Sequence, residues 1–435
     1  MTEAAAVRAT PEARSRRAAL TRTSGAGLLS LAMTLSGVLA YAFHVLAARA
    51  LGPDAYGQVA VLWAAMFLVV VIAFRPLEQT TARAISDRLA RGQEVQSVLR
   101  SVVLIYLVML VAGAVLALAA WEITTSRLFL GNDAMTAALF GGIAGYGIAY
   151  VVRGVCAGAR WFGGYSAILI VDAVVRLVVA LPLLVVASTT CAGVACAAAG
   201  IAGALAPLLW SRGRLDVLRG GSSDGSRFEV RSALGFAAPA AVIAAADQVL
   251  INGGPLLVML GDGTSTTAGV VFAATMLIRV PVYVFQGVAA SLLPNLTNLQ
   301  ATDQRGAFRS TVARMVVVMA CTSLVIAAAA AAFGPEAMRF LYGPEYEVPH
   351  LDLGLLGLGV GSYLAAATLS QGLLAIDRAR SASVIWSVAA CLFLASYWAF
   401  SGPALLRISA GFALATTAAA ILLGVQLARR VRPAG

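Results

Sequence analysis

The chain contains no lysine: all 31 basic residues are arginine, set against 20 acidic residues in 435. Charge is scarce altogether, at 12% of the residues, where a soluble domain carries about 25%. That shortage excludes an ordinary water-soluble enzyme. It also excludes disorder, which needs low hydrophobicity and high charge. Histidine is nearly missing, with only His44 and His350. The five cysteines, Cys156, Cys191, Cys196, Cys321 and Cys391, lie in or beside apolar runs. None forms a Cys-x-x-Cys pair or has a histidine pair nearby, which argues against zinc and redox chemistry. They read as packing residues. There is no GxxxxGK[ST] loop, so no ATP site is encoded and an enzyme is not expected.

What the sequence has instead is hydrophobic length. Hydrophobic residues make up 60% of the chain and the mean hydropathy is +0.88. A membrane-spanning helix needs about 20 mostly apolar residues. Twelve segments qualify: 24–48, 57–79, 99–120, 134–157, 165–187, 190–210, 233–260, 265–293, 310–333, 351–375, 383–400 and 403–427. The runs are continuous rather than alternating, which predicts helices and not a barrel. The fold class expected is an all-α polytopic membrane protein.

Arginine distribution gives the orientation. Cytoplasmic loops carry excess basic residues. With the N-terminus inside, 23 arginines fall in inner segments or, as Arg100 and Arg314 do, at the inner ends of spans, three (Arg49, Arg127, Arg339) fall in outer segments and the other five lie within spans. Both termini are therefore expected in the cytoplasm. A basic balance also raises nucleic acid as a partner, but such binders gather their charge on a soluble domain, so that reading is set aside. A cleaved signal peptide at the first span is disfavoured by its length of about 25 residues, against about 7–15 for a signal core.

The polar stretch 211–232 divides the spans six and six. The expected organisation is a basic tail 1–23, an N-lobe 24–211, a linker 212–232, a C-lobe 233–428 and a short tail 429–435. RGVCAGAR and QGLLAIDR superpose when shifted by 218 residues, matching Gly154 with Gly372, Ala157 with Ala375 and Arg160 with Arg378. Each closes the fourth span of its half. An even number of spans per half makes the repeats parallel, related by an axis along the membrane normal, with a substrate site between them.

Charge inside the spans marks that site. An ionised side chain at a helix centre costs about 2.5–3.5 kcal/mol on insertion scales. Arg75, Glu78, Arg153, Asp172, Arg176, Asp247, Arg279 and Arg407 all fall in or at the edges of spans. Asp172 and Arg176, spaced i, i+4, can pair on one helix face. Arg75 and Arg153 can snorkel to the inner surface and Arg407 to the outer. Arg279 and Asp247 are too deep for that, which favours a cavity role. Guanidinium binds phosphate bidentately and stays charged when desolvated, so the surplus of arginine points to an anionic cargo. Asp247, and Asp172 after it, are candidates for coupling to H+ or Na+ or for charge balance. His44 reads as a packed polar residue. The outer segment 334–350 reads as a short interfacial helix and turn.

ARALGPDAYGQVAVLWAAM (Ala48 to Met66) resembles the first-loop motif of the bacterial polysaccharide-transport family, the lipid-linked oligosaccharide flippases. Further similarity runs through PAAVIAAADQVLI (Pro239 to Ile251), AGVVFAATMLIRVPVYVFQGVAASLLPNL (Ala268 to Leu296) and FGPEAMRFLYGPEY (Phe333 to Tyr346). That family shares a superfamily with the multidrug and toxin extrusion exporters and the peptidoglycan-precursor flippases. The resemblance implies two six-helix lobes in a V around a central cavity. It implies transfer of a polyprenyl-pyrophosphate-linked glycan from the inner to the outer leaflet, beside glycosyltransferases and a polymerase of a polysaccharide pathway. Relatives use cavity arginines for the pyrophosphate; Arg75, Arg176 and Arg279 fit, with Arg153 as a fourth candidate. No cofactor is implied. The alternatives are a drug or metabolite exporter of the same fold, a peptidoglycan-precursor flippase (which typically has two further helices) and a membrane glycan polymerase or ligase.

Overall fold

A computed structural model describes residues 11–209, 230–261, 263–279, 282, 305–376 and 378–431. Among them are eleven α-helices and no strand. Helices satisfy their backbone groups internally, which a bilayer demands.

The first helix, α1, runs from Pro11 to Ala90 and holds the first two expected spans. What the sequence presents as a connecting loop is only an elbow. Gly52, at φ 71° and ψ 170°, is its single non-helical residue. Glycine tolerates that φ without penalty, and Pro53 opens the second leg with a φ already suited to a helix. Then come α2 (Gln96–Leu128), α3 (Asp133–Gly158) and α4 (Phe162–Ala180). Pro182 ends the fifth span early, in a 3-10 turn over Leu181–Leu184. α5 (Thr189–Leu209) completes the first half. The second half holds α6 (Val230–Leu260), α7 (Ser265–Ile278), α8 (Arg305–Tyr342), α9 (His350–Ala375), α10 (Ala379–Ala399) and α11 (Ala404–Val431). Eleven expected spans thus coincide with described helix. The eighth does so for its first half; from 280 on it lies outside the described residues, Val282 excepted, as do most of the linker and both chain ends.

The interfacial helix expected at 334–350 is not separate. α8 continues through Pro335 to Tyr342. Proline has no N–H, so the carbonyl four residues back, on Ala331, loses its helical donor. His350 replaces it: its Nδ1 lies 2.6 Å from that carbonyl oxygen. The helix is carried past its proline by a side chain from the start of the next one.

Helices α1 to α5 pack on one another, and α6 to α11 form a second group. α1 joins the two groups by lying against α6 and α7. Small residues bring backbones close, as is usual between membrane helices: a Cβ on Gly154 of α3 would sit 2.9 Å from the Glu78 carbonyl oxygen. Gly372, its counterpart in the repeat, instead faces Leu427 of α11. Both close the fourth span of their half, so the likeness holds in placement and not in contacts.

The connections predicted to share one side do meet at one end of the molecule. There Asn132 bonds Gln58 and Thr189 at 3.4 and 3.2 Å. Ser265 donates to the Asp54 carbonyl at 2.6 Å and Tyr346 to the Ala48 carbonyl at 3.1 Å. Arg49 donates to the carbonyls of Leu341, at 2.8 Å, and Phe340. This is termed the elbow end. A Cβ on Gly57 would overlap the Ser265 carbonyl, and one on Gly269 would overlap that of Pro53. The two groups of helices are therefore in backbone contact at the elbow end.

Candidate functional site

The charged residues inside the spans sort into three clusters. In the first helical group, Arg176 of α4 is 2% exposed and ion-paired to Asp172 one turn earlier at 2.6 Å. The phenol of Tyr146, from α3, completes a triangle. It donates to Asp172 Oδ1 at 2.5 Å and accepts from Arg176 at 2.5 Å. The guanidinium lies 4.8 Å from the Trp63 ring centre. Its Nε, fully buried, has no hydrogen-bond partner. The spacing shows the Asp172–Arg176 pair; Tyr146 and Trp63 come from other helices and no local signal announces them.

Arg153 does not rise to the surface. Its Nε lies 3.4 Å from Glu78, and both of its contacting nitrogens reach the Tyr165 phenol, at 3.0 and 2.6 Å. Tyr165 in turn donates to Glu78 at 2.7 Å. Tyr150 and Tyr165 flank the guanidinium at 4.3 and 5.0 Å. This ties α1, α3 and α4 together. Glu78 and Arg153 stand 75 residues apart, a pairing only the fold could reveal.

The third cluster lies in the second group. Arg279, 8% exposed, follows the last turn of α7. It donates to the Ile251 carbonyl and to Asn252 Oδ1, the latter at 3.4 Å. Asn252 donates to Gln248 at 2.7 Å, Gln248 to Asp247 at 3.3 Å, and Tyr363 of α9 to Asp247 at 2.6 Å. Asp247 and Arg279 are thus joined by a polar chain rather than in direct contact. Gln248 and Asn252, spaced i, i+4 in an apolar span, are a signal the sequence offers and a reading based on charge alone passes over.

Arg75, on the second leg of α1, is exposed. Its field and that of Arg279 both reach the Asp247 carboxylate. Arg75 therefore faces the opposite helical group. Arg407 stays near the elbow end, 4.4 Å from the Tyr397 ring and 3.4 Å from its carbonyl oxygen.

A fourth feature lies between the clusters. His44, completely buried, touches the rings of Trp63 (4.4 Å), Phe43 (5.0 Å) and Phe272 (5.0 Å). Trp63 carries Arg176 near its ring, and Phe272 carries Arg279 at 5.9 Å. An aromatic path thus runs from one arginine to the other across the junction of the groups. Among the described residues no group of three His, Cys, Asp or Glu side chains could hold a metal ion.

No family model matches the chain. Two uncharacterized proteins, from Mycobacterium bovis and Mycobacterium tuberculosis, are each 26% identical over 324 residues, covering 73% of this chain and 72% of theirs. Among solved structures, the inward-facing conformation of a multidrug-resistance MATE transporter of the MOP superfamily superposes with a TM-score of 0.73, at 15% identity, over 93% of this chain and 97% of that one. A MOP-superfamily transporter from Pyrococcus furiosus, described as having a binding pocket of reverse polarity, gives 0.67 at 13% identity, over 94% and 96%. The outward-facing conformation of a MATE transporter gives 0.63 at 13%, over 94% and 96%. With eleven described helices packed as above, the chain has the twelve-helix fold of the MATE transporters of the MOP superfamily.

Proposed function

We propose that the protein is an alternating-access transporter that moves a polyprenyl-pyrophosphate-linked oligosaccharide from the inner to the outer leaflet of the bacterial cell membrane. One observation carries the choice of cargo. In the first helical group both embedded acids are spent on arginine, Asp172 on Arg176 and Glu78 on Arg153. Among the described residues, Arg75 and Arg279 then both act on the carboxylate of Asp247. The facing surfaces keep a positive excess, which suits a phosphorylated head group. Support also comes from the Pyrococcus furiosus transporter, whose reverse-polarity pocket is said to suggest a different function on the same fold.

In this reading the elbow end is the outer one, and the described conformation is closed there. Cargo enters from the inner leaflet, and its diphosphate meets Arg75 and Arg279. Asp247 is the group that takes up a coupling proton or sodium ion in exchange. A membrane potential is worth about 2.3 kcal/mol per elementary charge per 100 mV, so the outward movement of negative charge is favoured by an inside-negative potential.

The test is reconstitution in vesicles containing a fluorescent polyprenyl-diphosphate glycan, with quenching of the outer leaflet as readout. Wild type should exchange the lipid between leaflets, and Arg75→Gln should lose most of that exchange. A drug exporter of the same fold is the second reading, favoured by the aromatic wall of Trp63, Phe67 and Tyr146. Exchange of organic cations but not of the diphosphate lipid would decide for it.

A further inference from the structure

His44 has no place in either reading so far. Its Nδ1 lies 3.2 Å from the Tyr56 hydroxyl, and its Nε2 is fully buried with no hydrogen-bond partner. No protonation state removes that deficit. If Nδ1 accepts from Tyr56, Nε2 carries an N–H with no acceptor; if Nδ1 donates, Nε2 has a lone pair with no donor; in the cation both nitrogens bear protons. A buried polar atom left unmatched is costly, and such an atom in an otherwise well-packed site calls for an explanation.

The packing around it is close. The ring is enclosed by Phe43, Trp63 and Tyr56 of α1 and by Phe272 of α7. Phe272 alone among these belongs to the second helical group. Around this box the elbow-end seal is made of strong, well-matched contacts: the Gly57–Ser265 and Gly269–Pro53 approaches, and the bonds Ser265 to Asp54, Tyr346 to Ala48 and Arg49 to the end of α8. His44 Nε2 therefore sits unmatched inside this seal, as do the hydroxyls of Tyr41 and Tyr342 toward the end of α8; of these only Nε2 lies in the box that Phe272 closes.

We propose that His44 is the release catch of this seal. Its unmatched nitrogen keeps the closed form from being too stable to leave. When the groups part at the elbow end, Phe272 withdraws and water reaches Nε2, which regains a partner. The cost is cancelled in the open form alone, so it acts on the balance between the two forms. An unmatched group of this kind is worth on the order of a tenfold change in that balance. The two rings that box the imidazole also touch the two arginines, Trp63 at Arg176 and Phe272 at Arg279. A ligand that draws on either guanidinium bears on the walls of the box, which places the catch next to the proposed cargo site. The inference rests on the alternating-access reading and not on the identity of the cargo.

The test measures distances between spin labels at Leu130 and Glu347, one on each helical group at the elbow end, in protein whose exposed Cys321 and Cys391 are replaced by serine. His44→Phe keeps a ring and removes both nitrogens; it should shift the population toward the closed distance by on the order of tenfold and slow turnover. Tyr56→Phe removes the partner that Nδ1 has among the described residues and should shift it the opposite way. His44→Leu should act like His44→Phe and covers a failure of the larger ring to fit. Distances unchanged by all three, or moved the same way by His44→Phe and Tyr56→Phe as for a packing role, would overturn the catch. If the distances respond as expected but no diphosphate lipid crosses the bilayer, the cargo assignment fails and the catch stands.

Discussion

At the scale of single residues, the embedded arginines are of two kinds. Arg176 and Arg153 are enclosed by their own helical group. For them burial and pairing are one fact, since an uncompensated buried charge costs several kcal/mol. Arg176→Ala leaves Asp172 with the Tyr146 phenol as its remaining contact. It should destabilise the protein by about 3–5 kcal/mol, read as an early unfolding midpoint in detergent. The pair replacement Arg176→Met with Asp172→Leu should recover most of that stability. Arg75 is of the other kind. It is exposed, so Arg75→Gln should leave the stability within about 0.5 kcal/mol of wild type, with the melting point nearly unchanged, while transport is lost. A melting point that fell along with transport would show Arg75 to be structural. The Asp172–Arg176 pair was legible from i, i+4 spacing alone. The partners of Arg153 and Arg279 were not, because Glu78, Tyr165, Asn252 and Ile251 are brought to them by helix packing, which leaves no periodic trace in the chain.

At the scale of elements, hydropathy located the spans because the bilayer imposes their length. It could not locate the joints. A loop and an elbow look alike when both are short, and only the sign of φ at Gly52 distinguishes them. Gly52→Ala should cost about 1 kcal/mol or more, since an alanine at that φ is strained, and a melting curve would show it. The end of α8 was misread for a related reason: a proline after Phe333-Gly334 reads as a stop. The donor that lets the helix pass it, His350, lies 19 residues from its acceptor. His350→Ala should therefore destabilise by about 0.5–1.5 kcal/mol, the worth of one hydrogen bond. Adding Pro335→Ala restores the backbone N–H and should return most of that loss. A double variant no more stable than the single one would show that the imidazole is not replacing the missing donor.

At the scale of the molecule, the count of twelve spans and the all-helical class could be read directly, because each depends on composition over some 20 residues. Which connections share an end of the molecule was also legible. The connections assigned to one side by arginine count are those that hydrogen-bond together at the elbow end. A cysteine at Leu130 should react with a membrane-impermeant maleimide applied to intact cells, and one at Arg160, at the other end, should react only after lysis. The reverse pattern would turn the proposed topology over. The choice among cargoes was least legible, since it depends on which charges cancel, and that is settled by distances of a few ångströms between helices.

The elbow has one more consequence. Because α1 runs as a single jointed rod through the region where both helical groups meet, its first two crossings cannot change their tilt independently of that meeting point. Changes near Gly52 and Gly57 should thus appear in genetic screens as proteins that are made, inserted and abundant yet inert. Their defects should be suppressible by second changes in α7 or at the α8–α9 turn rather than anywhere near the arginines.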